Sequence, residues 1–194
     1  ISDWSLPFFS KSSGVLKGEA LQSYVNRMVN QTAIEKLKKP FGAVATDLNT
    51  GLPILFQRGN TGLAVRASSA VPGVFQPVKI NDRFYVDGGL VSPVPVRFAR
   101  EMGADIVIAV NISSSPEAQN SASSLEVLMQ TFTIMGQSLN QFELKSADVV
   151  IKPELASMKG NDFNGRNLAI LAGERAANAV IGELKEKIRA FQEK

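Results

Sequence analysis

No histidine and no cysteine occurs anywhere in the 194 residues. Nucleophilic triads that use an imidazole base are therefore excluded, whether the nucleophile is serine or cysteine. Disulfides and thiolate metal sites go with them, which leaves the redox compartment open. A zinc site without imidazole or thiolate has lost both of its preferred ligand types. Long apolar runs are absent too: none approaches the roughly 18–20 residues of a membrane span. Nothing reads as a signal peptide, although the chain begins at Ile1 rather than Met. Positive charge is in only slight excess, with 21 Lys and Arg against 18 Asp and Glu. A nucleic-acid binder normally concentrates its cations on one face, so no nucleic-acid partner is expected. The densest cluster, Lys36, Lys38 and Lys39 before Pro40, is expected at a helix end, where it would complement the helix dipole. If this chain takes part in covalent chemistry, a carboxylate must accept the proton.

What is present suffices for a core. At 44 % apolar and 194 residues, the chain fits one domain on a prior of roughly 150 residues each. Residues 1–17 read as loop, with Trp4, Phe8 and Phe9 as anchors. Leu21, Val25, Met28 and Val29 recur at helical spacing and predict a helix from Glu19 to about Lys39. Strands over 41–48 and 54–57 flank Asn49-Thr50-Gly51 as a hairpin, and a short helix over 62–69 ends before Pro72. Residues 75–80 and 84–86 flank Asn81-Asp82, a second hairpin.

A helix over 94–102 stops at Gly103. The run Ile106-Val107-Ile108-Ala109-Val110 reads as a strand covered on both faces. After a serine-rich loop at 113–124, Leu125, Leu128, Phe132, Met135, Leu139 and Phe142 form an apolar helical stripe expected to pack in the core. A strand over 148–152 completes a βαβ unit with a right-handed crossover. A loop with Gly160 and Gly165 then leads to a last helix over 168–191. The sum is a layered αβα domain, an α/β fold with a mostly parallel central sheet and attached hairpins.

Chemistry concentrates at Phe84-Tyr85-Val86-Asp87-Gly88-Gly89. A short strand delivers a carboxylate to its end. Gly88 and Gly89 then tolerate the left-handed or strained dihedrals such a turn needs, and leave no side chain to block a neighbour. Taken alone, such a turn often serves only to reverse the chain. Three further stretches change its weight: Ala43-Val44-Ala45-Thr46-Asp47-Leu48, Val65-Arg66-Ala67-Ser68-Ser69-Ala70-Val71-Pro72-Gly73-Val74-Phe75, and Met102-Gly103-Ala104-Asp105-Ile106-Val107-Ile108-Ala109-Val110. With Val86-Asp87-Gly88-Gly89-Leu90-Val91 they resemble, in order and spacing, the patatin-like phospholipases of the bacterial branch. The resemblance covers most of residues 14–112 and is loose beyond.

That resemblance implies a serine–aspartate dyad, in which a serine of a Gly-x-Ser-x-Gly elbow attacks an acyl ester and an aspartate assists it. Asp87 matches the aspartate, with Gly88 and Gly89 as motif support; no metal or organic cofactor is implied. The missing histidine fits a dyad that uses none. The departure is equally specific. Among fifteen glycines, the one Gly-x-Ser is Gly136-Gln137-Ser138, inside the long striped helix rather than at a strand-to-helix turn. The glycine-rich oxyanion segment is missing as well. Both belong upstream in the family, so residues 1–194 are expected to be the C-terminal part of a patatin-like domain, inactive alone.

Other readings stay open. Ser68 and Ser69, near Asp87 in sequence, are the best nucleophile candidates within the chain, with structural support as the plainer role. Asp47 before Asn49-Thr50-Gly51 hints at an aspartic protease loop, but the inserted Leu48-Asn49 breaks that pattern and favours a turn acceptor. Asn30-Gln31-Thr32 and Asn111-Ile112-Ser113 fit the glycosylation sequon without compelling a secreted protein. The chain could instead be a non-catalytic lipid-binding or regulatory module of the same fold. A nucleotide-binding domain lacks any phosphate-loop signature. A lipid or other carboxylic ester is the expected substrate. A truncated sheet would expose an edge and associate with itself or with the missing segment. The lack of an export signal leans cytoplasmic.

Overall fold

Two hairpins joined along their inner strands make a four-stranded sheet in the first of two units, residues 1–93; the second unit is residues 94–194. The computed structural model describes residues 16–113, 124–155 and 163–193. The expectations for Trp4, Phe8, Phe9 and Gly160, and for most of the serine-rich loop, lie outside these residues.

In the first unit, β1 (Ala43–Asp47) pairs with β2 (Pro53–Phe56), and β3 (Val78–Ile80) with β4 (Arg83–Asp87). Gly51 at φ 72° and Asn81 at φ 55° take the left-handed turn positions that the two hairpins require. β1 and β4 then pair with each other, giving the order β2-β1-β4-β3, antiparallel throughout. The mostly parallel central sheet expected from the sequence is therefore not what this sheet shows. Strands linked by a tight turn can only run antiparallel, since parallel neighbours need a crossover of about a dozen residues or more.

Helices α1 (Glu19–Met28) and α2 (Thr61–Ser68) belong to the same unit. Their approach depends on Gly62, where a Cβ would sit 2.3 Å from the Gln22 carbonyl oxygen. The buried Asn26 accepts the Gly62 N–H at 2.8 Å, and Asn60 caps α2 by accepting from Leu63 N–H at 2.7 Å. Small side chains let α2 lie close on the sheet: Ala67 and Ala70 pack with Ala45, Val78 and Tyr85. Phe56 meets the Tyr85 ring edge-on at 5.2 Å, an arrangement that contributes about 0.5–1.5 kcal/mol beyond area burial.

α1 ends at Met28, well short of Lys39, because Asn30 and Gln31 both take positive φ, 50° and 56°. A single 3-10 turn, Ile34–Lys36, follows. The three lysines consequently sit on that turn and the loop after it, not at the end of an α-helix, and the dipole explanation does not apply.

The second unit is built on a βαβ crossover. β5 (Ile108–Val110) and β6 (Val149–Ile151) are parallel neighbours joined through α4 (Ser124–Glu143), with α3 (Val96–Glu101) before them and α5 (Arg166–Gln192) after. Gly103, at φ 91°, ends α3 as read from sequence. Val94, Val96, Val107 and Ala109 form the core. Asp148 ties it: its carboxylate accepts from Val107 N–H at 2.7 Å and pairs with Arg100. These two donors, the amide foremost, hold its pKa below the usual carboxylate value.

Two expectations for this unit are corrected. β5 is covered on one face only: Ala109 is buried while Ile108 and Val110 are exposed. The stripe on α4 is only partly covered: Leu128, Met135 and Phe142 are exposed, Phe132 and Leu139 are half-buried, and the one buried residue described on the helix is Asn140. Its Nδ2 donates to Ser113 Oγ at 2.7 Å. Amphipathic spacing specifies that a face is apolar, not what covers it.

Candidate active site

Strand alternation places Asp87 on the same face of β4 as Tyr85, the face on which α2 packs. It is the last residue of the strand and stands opposite Ala45 in the ladder. Its backbone is held three ways. The N–H of Asp87 donates to the Ala70 carbonyl at 3.0 Å, the carbonyl accepts from Thr46 Oγ1 at 2.8 Å, and the ladder with β1 fixes its position. The side chain then folds back on the following turn, where Oδ1 accepts the Gly89 N–H at 2.6 Å.

Gly88 and Gly89 are needed for space rather than for dihedral freedom. Neither is among the glycines with positive φ. A Cβ at Gly88 would come 2.1 Å from the Val44 carbonyl oxygen, so the turn is pressed against β1. A Cβ at Gly89 would come 2.9 Å from Asp87 Oδ1, in the gap that the carboxylate and amide share. The left-handed dihedrals expected of this turn are therefore not used, and the close approach expected with them is.

Burial raises the Asp87 pKa above its ordinary value, and the Gly89 N–H opposes that shift only in part. Desolvation disfavours the charged form, so the carboxylate holds a proton more readily than an exposed aspartate. Among the described residues Oδ2 has no hydrogen-bond partner and is not sealed from solvent. One oxygen is clamped and the other is open, an arrangement suited to receiving a proton from a hydroxyl brought to it.

The other sequence candidates fall elsewhere. Ser68 closes α2 and Ser69 caps it, both half-buried, just before the Ala70 carbonyl that receives the Asp87 N–H. Asp47 is a turn acceptor as expected, its Oδ1 taking the N–H groups of Asn49 at 2.8 Å and Thr50 at 3.2 Å. Arg83 reaches its Oδ2 at 2.6 Å, a partner that sequence reading missed. That hydrogen bond is the main reason its pKa is lowered. Ser138 is exposed but lies mid-helix in α4 with its hydroxyl donating to the Ile134 carbonyl, not on a strand-to-helix elbow. Asn111 of the second sequon is buried. Thr46, whose hydroxyl holds the Asp87 carbonyl, was also missed. Its signal was a lone hydroxyl in the otherwise apolar start of a strand, Ala43-Val44-Ala45-Thr46.

Among the described residues no group of three or more metal-ligating side chains is placed to hold an ion. No helix among them is long and apolar enough to cross a membrane.

The fold and the turn define an α/β protein with a glycine-clamped aspartate at a strand end. The family model for patatin-like phospholipase matches residues 2–100, and the chain belongs to that family. It is 40 % identical over 104 residues to an NTE family protein of Mycobacterium tuberculosis, covering 54 % of this chain and 29 % of that one. A second NTE family protein from the same organism is 26 % identical over 214 residues, covering 97 % of this chain and 36 % of the relative. Mouse patatin-like phospholipase domain-containing protein 7 is 29 % identical over 119 residues, which is 60 % of this chain and 8 % of that protein. The chain thus spans about a third of the length of the mycobacterial relatives.

Proposed function

We propose that this chain carries the acid–base half of a serine–aspartate acyl-ester hydrolase acting on lipids, with Asp87 as the proton acceptor. The observation that carries the reading is the state of that carboxylate: half-buried, raised in pKa, clamped through one oxygen and open at the other. An exposed aspartate with a pKa of about 3.9 is a poor base at neutral pH. Raising that value narrows the gap to a serine hydroxyl and makes proton transfer less uphill.

In this reading the serine comes from a Gly-x-Ser-x-Gly elbow, which none of the fifteen glycines here provides. The serine oxygen bonds to the acyl carbon as its proton moves to Oδ2. The proton then passes to the departing alcohol oxygen as the ester bond breaks. Water repeats the sequence on the acyl-enzyme and restores both residues. The 194 residues alone are expected to be inactive on esters, and the single-domain assignment of residues 1–194 belongs to the same proposal.

The test is ester turnover by the full-length polypeptide with and without Asp87→Asn. Asparagine keeps the acceptor for Gly89 N–H but cannot take up a proton. Turnover is expected to fall by about two to four orders of magnitude, the range for removing a positioned base. Unchanged turnover would remove Asp87 from the mechanism.

A further inference from the structure

An open groove of about 520 Å³ lies in the first unit, lined by Val29, Leu37, Pro40 and Phe41 together with Lys36, Lys38 and Lys39. Asn30 and Thr32 complete the lining, and no acidic side chain contributes to it. All three lysines are exposed, and among the described residues none makes an ion pair. Glu35, their sequence neighbour, accepts the Gly59 N–H at 2.9 Å and is also favoured by the charge of Lys36, which leaves Lys38 and Lys39 as the less compensated pair. Phe41 is exposed on the groove wall, and Met28, just before Val29, is 66 % exposed.

The groove is preformed. Ile34 is buried in the core beneath it. Its N–H donates to the Gly59 carbonyl at 3.0 Å, and Thr61 Oγ1 donates to the Thr32 carbonyl at 2.7 Å. Ala33 and Asn60 form an antiparallel bridge. Docking on a surface therefore orders little of the backbone, which spares the usual cost.

We propose that this groove docks the protein on an anionic phospholipid bilayer. Three exposed ammonium groups, without an ion pair among the described residues, match lipid phosphates and carboxylates, and their apolar stems, with Phe41 and Leu37, suit the headgroup boundary. Its position supports the same conclusion. Asp87 stands opposite Ala45 in an antiparallel ladder, so the chain entering β1 through Phe41 and Gly42 lies at the sheet end where β4 delivers the carboxylate. The proposal rests on the hydrolase reading only for its purpose, since the docking itself needs no turnover.

The experiment measures binding of the full-length polypeptide, in its Asp87→Asn form so that no lipid is consumed, to vesicles of phosphatidylcholine with or without phosphatidylserine. Each lysine strengthens partitioning to an anionic surface by about five-fold, so Lys36→Gln, Lys38→Gln and Lys39→Gln together are expected to weaken it about a hundred-fold. Phe41→Ala should weaken binding on its own. Raising the salt should weaken the parent protein far more than the triple variant.

Binding that is indifferent to the three lysines, or equal on neutral vesicles, would overturn the proposal. So would displacement by inorganic phosphate at constant ionic strength, which would mark a free-anion site, or tighter binding to a single-stranded RNA. Loss of ester turnover in Asp87→Asn is read on soluble esters, so the two claims fail independently.

Discussion

Replacing Gly88 and Gly89 by alanine, one at a time, separates what the turn does for the fold from what it does for the carboxylate. At Gly88 the new methyl would lie 2.1 Å from the Val44 oxygen and 2.7 Å from its carbonyl carbon. Ordinary contact begins near 3.4 Å, so it intrudes by about 1.3 Å on atoms that cannot rotate away. Val44 belongs to β1, which is paired on both sides, with β2 and β4. Relief requires separating β1 from the β4 end. Overpacking on that scale costs about 3 kcal/mol, which lowers Tm by about 6–12 °C in a chain of this size.

At Gly89 the methyl meets Asp87 Oδ1 at 2.9 Å, the far end of a side chain that can swing aside. The cost should stay below about 1 kcal/mol, offset in part by the reduced freedom of the unfolded chain. The carboxylate, however, loses its seat on the Gly89 N–H, and ester turnover should drop while Tm stays within about 3 °C of the parent. Thermal melts paired with turnover assays on both variants decide the matter. A Gly88→Ala protein that melts with the parent would refute the close approach. A Gly89→Ala protein with full turnover would refute the clamp.

The raised pKa of Asp87 means that the native state binds its proton more tightly than the unfolded chain. Stability therefore declines as pH rises from the ordinary aspartate value through the raised one. Asp87→Asn should melt no lower than the parent at pH 7; a clearly lower Tm there would contradict the burial penalty. Asp47 behaves in the opposite sense. Its lowered pKa contributes stability above the ordinary aspartate value, lost as pH falls through the folded one. Asp47→Asn should melt below the parent at neutral pH, with the gap closing on acidification, and a pH-independent gap would count against the Arg83 pairing. Thr46→Val removes the hydroxyl on the Asp87 carbonyl and should cost about 1 kcal/mol, with Thr46→Ser restoring most of it; equal melts for both variants would show that the bond contributes nothing. Gly182→Ala, on α5 with nothing within 4 Å of its Cβ, should stabilise by about 0.5–1 kcal/mol, read as a higher Tm.

Much of the local structure was legible from residue order alone. Asn49-Thr50-Gly51 and Asn81-Asp82 mark both hairpins, which sit within two or three residues of their expected bounds. Gly103 ends α3 where its type predicts. Turn chemistry is encoded over a few residues, so it survives without tertiary information. The length of α1 was not legible: Leu21, Val25, Met28 and Val29 continue a helical spacing that Asn30 and Gln31 interrupt. Those two residues tolerate the left-handed region without announcing that they occupy it.

Residue order alone determines which side-chain types the chain can offer. Histidine and cysteine are absent, and Asp87 followed by two glycines at a strand end is legible as the candidate base of the proposed reaction. The fold decides its state and surroundings. Pairing β1 with β4, residues forty apart, brings the Val44 carbonyl against Gly88 and the Thr46 hydroxyl onto Asp87. α2 lies over the same face of the sheet, and burial there raises the carboxylate's pKa. Strand direction, and which apolar faces find a cover, follow from long-range contacts that no short stretch of sequence contains. That is why the antiparallel sheet, the open face of β5 and the basic groove before β1 became visible only with the chain folded.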